Sequence, residues 1–292
     1  MLRMTDRRVT PLRTRVKTTT ALLLTVILAL AACGGRDQPQ DASAEEIRQS
    51  ALAAAEDAQT LRFDTTLSVK LRTKGPQRVD LTVSAVTSGQ IDNVARLMES
   101  EMTSTMALPP EAGGRQQTSV TSYVVDDVLY ARTATPGQSE RWSSQRLQEQ
   151  GWEDLNQLGH EAEMLRTAQI ELLRSDRLRG VDCYVLQLTP DTSSLRQKLA
   201  RLPGLEELPA DAASELDDMI QRFSSRVWVA QDTFHLLRDE TAFTIVLDAE
   251  ALGPSSGQEG EVTLDAEMRT EFKGHDQPVS IELPPELSGR TG

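Results

Sequence analysis

The chain has 292 residues, with 44 acidic against 31 basic side chains, and a formal net charge of −13. An acidic balance of this size excludes a protein that holds nucleic acid through clustered Lys and Arg, since phosphate backbones would be repelled. Only 4% of the residues are aromatic and 38% are hydrophobic, which leaves enough apolar material for one large domain or two small ones.

Residues 1–32 have the composition of an export signal. Six basic residues and one acid, Asp6, precede the apolar run Ala21–Ala32, in which only Thr25 is polar. This run is too short to span a membrane, which takes about 20 apolar residues. A basic region, an apolar region and a small-residue end are typical of a cleaved signal peptide. Its removal would lower the formal charge of the remaining chain to −18.

The next residues predict a flexible tether followed by a helix. Residues 33–43 are polar and lack periodicity. Residues 44–58 are good helix formers, with Ser43 as the N-cap and Glu46 three residues later, which is the capping-box arrangement. The apolar side of this helix consists of Ile47 and several alanines, so we expect it to approach a sheet closely.

From residue 63 the hydrophobic period changes to two, which predicts β-strands with one buried face. We expect inward positions at Phe63, Leu67 and Val69 on the first strand and at Leu81 and Val83 on the second. The third strand places Met98, Met102 and Met106 on one face. Further strands are predicted at 119–125, 128–133, 172–178, 183–188, 226–230, 234–247 and 261–272. Short connections favour antiparallel pairing, and the order of elements excludes a doubly wound parallel sheet.

Two segments interrupt the strands. Residues 146–165 carry a weak helical pattern that is broken at Gly151 and Gly159. Residues 193–223 contain a clearer amphipathic pattern, with an acidic side and an apolar stripe at helical spacing. We predict that this stripe, which includes Leu216, Met219, Ile220 and Phe223, covers part of the sheet.

Catalytic and metal-binding motifs are missing from the sequence. His160, His235 and His275 are isolated, and no pair of Cys or His residues has the spacing of metal ligands. Adjacent acids such as Asp217 and Asp218 fit a solvated helix face. Cys183 lies in an apolar run, which is typical of a small buried side chain. We therefore predict a protein that is not an enzyme and uses no cofactor and no metal.

The sequence Leu30-Ala-Ala-Cys33 resembles the lipobox of bacterial lipoproteins at all four positions. The resemblance implies cleavage before Cys33 and a diacylglyceryl group on its thiol. Two acyl chains would hold the protein stably at the extracytoplasmic face of the cell membrane, and Cys183 would then have no disulfide partner. The alternative is an ordinary secretory signal with a chance cysteine. Which envelope membrane holds the anchor stays open.

The order of the elements resembles the LolA-like superfamily, in particular the LppX/LprG group of lipid-binding lipoproteins. Three degenerate phrases also fit: Val125–Arg132 followed by Trp142, Arg226–Asp232 leading to Leu236–Glu240, and Phe272–Pro284. The resemblance implies an α+β fold, in which a curved antiparallel β half-barrel has its concave face covered by helices around an apolar cavity. Residues 44–288 would form this single domain.

We accordingly expect a monomeric, membrane-anchored lipoprotein that binds or carries a lipid or another hydrophobic ligand. The alternative is an envelope interaction or sensor lipoprotein with a closed core and a protein partner. The row of methionines favours an adaptable apolar site, although ordinary core packing explains it as well. Strand parity and the amphipathic stripe give the expected ligand-binding residues: Phe63, Leu67, Val69, Leu81, Val83, Met98, Met102, Met106, Leu216, Met219, Ile220 and Phe223.

Overall fold

A computed structural model describes residues 42–74, 80–108, 114–137, 139–147, 151–191, 219–248 and 260–287. The predicted export signal, the tether with Cys33, and Leu216 lie outside these ranges. From Ser43 onward the described residues belong to one compact unit.

Three helices lie in the described part of the chain: α1 (Ala44–Asp57), α2 (Gly151–Leu155) and α3 (Gln157–Thr167). The predicted capping box of α1 is confirmed. The Ser43 hydroxyl accepts a hydrogen bond from the Glu46 N–H at 3.3 Å, and the Glu46 carboxylate accepts one from the Ser43 N–H at 2.8 Å. Within the described ranges, no helix has both the length and the apolarity needed to cross a membrane.

Helices α1 and α3 each have one apolar, buried side, as helices that pack on a neighbouring element do. Ile47 and Ala51 of α1 and Leu165 of α3 are fully buried. The two helices contact each other, and α1 also contacts an edge strand, β7. The Arg48 guanidinium donates to the carbonyl of Ala168, 3.1 Å away, just after α3 ends.

Eleven strands make up the sheet. They are β1 (Thr60–Lys74), β2 (Asp80–Asp92), β3 (Leu97–Ala107), β4 (Arg115–Val125), β5 (Val128–Ala134), β6 (Trp142–Arg146), β7 (Gln169–Leu178), β8 (Val181–Thr189), β9 (Ile220–Ala230), β10 (Leu236–Asp248) and β11 (Glu261–Lys273).

All neighbouring strands are antiparallel, in the order β6-β5-β4-β3-β2-β1-β11-β10-β9-β8-β7. The first and last strands of the domain, β1 and β11, meet in the middle of the sheet. Strands β6 and β7 are its edges, so the sheet is an open, curved half-barrel. The predicted α+β class with an antiparallel half-barrel is confirmed.

Strand register sorts the side chains onto two faces. The apolar face carries the odd-numbered residues of β1 and the even-numbered residues of β11, for example Phe63 opposite Phe272 and Val69 opposite Ala266. The polar face carries the alternate residues, such as Lys70 opposite Asp265. The prediction that Met98, Met102 and Met106 share one face is confirmed, because their partners on β2 are Ile91, Thr87 and Val83.

One end of the sheet, which we call the closed end, is buried on both faces. On the apolar face the buried side chains there are Leu61, Phe63, Ile91, Met98, Val124 and Phe272. On the polar face the C-terminal segment, residues 277–287, packs against the strands. Leu287 of this segment is fully buried against Tyr123 and Tyr130, with Ile281 and Leu283 beside it.

Three details of the predicted elements are wrong. Ile220 and Phe223, expected on a helix, lie on strand β9; the predicted helix up to residue 218 falls outside the described residues. Gly159 does not break the helical pattern, because it lies in the first turn of α3 and donates its N–H to the Asn156 side chain at 3.2 Å. Strand β6 was not predicted.

Candidate ligand-binding face

The apolar face carries a continuous row of apolar side chains across six strands. Residues that are opposite one another in register form this row: Met106, Val83, Val69, Ala266, Phe243 and Phe223, on β3, β2, β1, β11, β10 and β9. At about 4.8 Å between neighbouring strands, the row is about 24 Å long. A second row lies beside it, formed by Leu81, Leu71, Leu264, Ile245 and Ile220.

The middle of the two rows forms a packed cluster. Phe243, Ile245, Leu264 and Ala266 are buried, and Val69, Met219, Ile220 and Phe223 pack against them while remaining only partly buried. Four of the expected ligand-binding residues therefore meet in one contact cluster. The sequence prediction omitted Phe243 and Ile245, although the same period of two that identified β1 is present around them.

Two further expected residues lie deep in the closed end. Phe63 is 3% exposed and Met98 is 5% exposed, so both are part of its packed core. By contrast, Leu67, Leu81, Val83 and Met102 are half-buried, and Met106 is 37% exposed. Apolar side chains in this intermediate state can gain further burial by contact with another apolar surface.

A row of polar side chains separates the apolar rows from the closed end. Thr65 and Thr270 share a hydrogen bond of 3.1 Å between their hydroxyls. The Thr241 hydroxyl lies 3.2 Å from that of Ser225 and 3.3 Å from the Asp239 carboxylate. Thr270, Thr241, Ser225 and Asp239 are all buried. The apolar face thus has a polar boundary on the side of the closed end.

The polar face is dominated by ion pairs and hydrogen bonds. Asp265 accepts from Thr244 at 2.8 Å and pairs with Arg72, and these two contacts lower the pKa of its carboxyl. Burial opposes ionisation of Glu271, but hydrogen bonds from Arg269 and Arg238 outweigh it and lower that pKa too. Clefts of about 360, 480 and 680 Å³ lie on this face, lined mainly by charged and hydroxyl side chains.

The edge of the sheet near β7 contains a second buried cluster on the polar face. Cys183 is fully buried next to Val185 and Trp228, as predicted for a structural cysteine. Burial raises the pKa of its thiol. The Trp228 indole N–H donates to Asp176 at 3.2 Å, which lowers the pKa of that carboxyl. This arrangement suits packing rather than nucleophilic chemistry, because a buried thiol with a raised pKa is a poor nucleophile.

The prediction that all three histidines are isolated is wrong for two of them. His235 and His275 stack with their ring centroids 4.3 Å apart and their planes 7° from parallel. No spacing rule could have paired them, since 40 residues separate them in the chain. Among the described residues, no group of three or more His, Cys, Asp or Glu side chains has the arrangement of a metal site.

No protein-family profile matches the chain, and no curated protein sequence matches it either. Solved structures do match. The chain is similar to LprF from Mycobacterium bovis, at 13% identity and a TM-score of 0.41, over 82% of this chain and 96% of that one. It is also similar to the lipoprotein LppX from Mycobacterium tuberculosis, at 13% identity and a TM-score of 0.37, over 82% and 98%.

A LolA superfamily protein from Nitrosomonas europaea matches at 12% identity and a TM-score of 0.22, over 84% of this chain and 97% of that one. LppX and the LolA superfamily, which the sequence resembles, are thus both among the matched structures.

Proposed function

We propose that this protein is a membrane-anchored, extracytoplasmic lipoprotein that binds a lipid or another hydrophobic ligand on the apolar face of its sheet. The observation that carries the proposal is the six-strand row from Met106 to Phe223. Its members are apolar without exception, and several are only half-buried. Burying more of this surface against an acyl chain would contribute roughly 25 cal/mol per Å² without any catalytic group.

The residues proposed to contact the ligand lie outside the closed end, in the two rows or next to them. They are Leu67, Val69, Leu81, Val83, Met102, Met106, Met219, Ile220 and Phe223, together with Phe243 and Ile245. Leu216 belongs to the same proposal on sequence grounds. Methionine suits such a site because its unbranched thioether side chain adapts to irregular apolar shapes. No step of bond making or breaking is part of this function.

The anchor is proposed to be the acylated Cys33. With residues 1–32 removed, the acidic chain would be repelled by anionic headgroups, so contact with the membrane would depend on the acyl chains. The folded unit would stand off from the bilayer on residues 34–43, which reach at most about 35 Å when extended.

Retention of ligand tests the proposal directly. Residues 43–292 form a compact unit, so residues 33–292 with Cys33→Ser can be produced without the signal in a bacterial host. We expect native mass spectrometry after gentle purification to show a bound species that organic extraction releases as a lipid or similar apolar molecule. Protein that is always ligand-free would contradict the proposal and favour the interaction or sensor module with a closed core.

Strand β2 provides a matched pair of variants. Val83 is half-buried on the apolar face, whereas Val86 is 57% exposed on the polar face. Val83→Thr keeps the side-chain shape but places a hydroxyl in the apolar row, so we expect a clear loss of retained ligand. Val86→Thr makes the same chemical change three residues away and should retain ligand as the wild type does. Equal retention by both variants would show that the ligand does not lie on the apolar face.

A further inference from the structure

A pair of stacked histidines lies where two loops meet. His235 occupies the turn between β9 and β10, directly after Phe234, whose φ is +57°. His275 follows β11 and is flanked by Gly274 at +60° and Asp276 at +56°. Backbone in the left-handed region is uncommon for non-glycine residues and persists where surrounding contacts determine it. The stacked pair is one such contact, beside the bonds from the Phe234 N–H to the Ala230 carbonyl and from the Asp276 N–H to the Thr60 carbonyl, each 3.0 Å long.

The loop that carries His275 is joined to the start of β1. The Asp276 carboxylate accepts the Gln59 N–H at 2.8 Å, and the Asp276 N–H donates to the Thr60 carbonyl at 3.0 Å. The Thr60 hydroxyl donates to the Gln277 carbonyl at 2.6 Å, and Arg62 donates to the Pro278 carbonyl at 2.8 Å. These bonds fix the point from which the C-terminal segment, residues 277–287, starts across the polar face.

Two charged side chains, Asp276 and Arg179, act on the pair, and the Arg62 guanidinium lies beside Gly274 of the same loop. Asp276 Oδ2 lies 3.8 Å from His235 Nε2. The charge of Arg179, in the turn between β7 and β8, also acts on His275, and Arg179 is itself paired with Glu271 at 3.3 Å. The start of β1 contributes Thr60 and the charged Arg62 to the loop contacts, and Gln59 contributes its N–H. His235 thus lies beside the Asp276 carboxylate, whereas His275 has a cation nearby.

Protonation of His275 would turn its Nε2 into an N–H donor that needs a hydrogen-bond acceptor. The ring forms a backbone hydrogen bond with Leu236, whereas its buried Nε2 has no hydrogen-bond partner among the described residues. Burial and the neighbouring charge of His235 lower the pKa of His275 to about 4. Protonation of both rings would place two cations at stacking distance, one of them without solvent. Opening of the loop would relieve both penalties, because water could then reach Nε2.

We infer that His235 and His275 form an acid-sensitive latch that holds the C-terminal segment on the sheet. When the rings are neutral, they stack and keep residues 274–277 bound to the start of β1. When both are protonated, the loop opens and releases residues 277–287 from Tyr123 and Tyr130. Acidification would thereby uncover an aromatic surface on the polar face. This device is independent of the ligand proposed for the opposite face.

Hydrogen exchange measured by mass spectrometry between pH 7.5 and pH 4.5 tests the latch on residues 33–292 with Cys33→Ser. Protection factors, which remove the intrinsic pH dependence of exchange, should fall about ten-fold or more in residues 274–287 as the pH decreases. Peptides from β8 and β9 should keep their protection over the same range. Unchanged protection of residues 274–287 down to pH 4.5 would overturn the inference.

Two variants separate the latch from general acid sensitivity. His275→Phe keeps an aromatic ring against His235 but cannot be protonated, so its C-terminal segment should stay protected. His235→Gln removes the neighbouring charge and so reduces the penalty for protonating His275, and the opening midpoint should move to lower pH; this variant also provides the test if His275→Phe does not fold. His160→Gln, on α3, is the control and should behave as the wild type. An acid response in His275→Phe equal to that of the wild type, or a higher midpoint in His235→Gln, would contradict the latch.

Discussion

The phenyl ring of Phe63 lies directly over Gly89, its register partner on β2. A Cβ added at Gly89 would meet two ring atoms of Phe63 at 2.5 and 2.6 Å and the Glu99 carbonyl at 2.7 Å. Because the backbone oxygen cannot move away as a flexible side chain would, the close approach requires glycine. Phe63 therefore belongs to the packed closed end, whereas the half-buried residues of the apolar rows can still gain contacts.

Replacement of Gly89 by alanine should destabilise the protein by about 1–3 kcal/mol, the usual cost of forcing extra atoms into a packed core. Urea denaturation of Gly89→Ala would show the loss. Ser88→Ala, an exposed neighbour on the same strand, should change stability by less than about 0.5 kcal/mol. The double variant with Phe63→Leu should lose less than the sum of the two single losses, since both act at one contact. Strict additivity would show that the ring does not press on Gly89.

Phe243 and Phe223 are register partners with different predicted roles. Phe243 is buried, so Phe243→Ala should lower the free energy of unfolding by about 3–4 kcal/mol. Phe223 is only partly buried, so Phe223→Ala should cost less stability but should reduce the amount of ligand retained. Chemical denaturation and native mass spectrometry of the two variants measure the two effects. A Phe223→Ala protein that retains ligand normally would remove this residue from the proposed site.

Stability should fall with acid in two separate ranges of pH. His275 has a folded pKa of about 4, below its ordinary 6.5, so the folded state prefers the neutral ring. Its contribution is complete above pH 6.5 and is lost between pH 6.5 and pH 4; the shift corresponds to up to about 3 kcal/mol. Asp265 and Glu271 have lowered pKa values, so their contributions are lost only at lower pH.

Urea midpoints measured from pH 7.5 to pH 3 should therefore fall in two stages in the wild type. In His275→Phe the upper stage should disappear, whereas the lower stage should persist because the carboxylates are unchanged. A wild-type midpoint that is constant between pH 6.5 and pH 4.5 would show that His275 titrates normally.

The thiol of Cys183 should be inert in the folded protein. It is fully buried, and its pKa is raised by burial. In residues 33–292 with Cys33→Ser it is the single thiol, so a disulfide reagent should react slowly in buffer and at once in denaturing urea. Rapid labelling without denaturant would show that the cluster around Cys183 and Trp228 opens readily.

Much of the fold could be predicted from local patterns, and the errors have physical causes. The period of two identified the inward face of β1 to β3, because each strand there is regular over ten or more residues. The sequence pattern assigned Ile220 and Phe223 to a helix, whereas both lie on β9. There a register shift between Thr244 and Ile245 pairs Ile245 with Ile220. The extra residue on β9 leaves two inward side chains three residues apart, which is also the spacing of a helix.

The features that sequence reasoning missed depend on contacts between distant parts of the chain. The stacking of His235 on His275 requires two turns to meet at the end of β11. The C-terminal segment has no periodicity of its own and is placed by hydrogen bonds from Thr60 and Arg62. Strand β6 is short and carries exposed polar residues apart from Trp142, so it gives little alternation to detect.

Photo-crosslinking with a lipid that carries a diazirine at the end of its acyl chain tests the central claim most directly. Purified residues 33–292 with Cys33→Ser would be loaded with this probe, irradiated, digested and analysed by mass spectrometry. We expect crosslinks on the apolar face, at residues such as Val83, Met102 and Phe223, and their loss in Val83→Thr but not in Val86→Thr. Crosslinks confined to the polar face, or spread equally over both faces, would contradict the account.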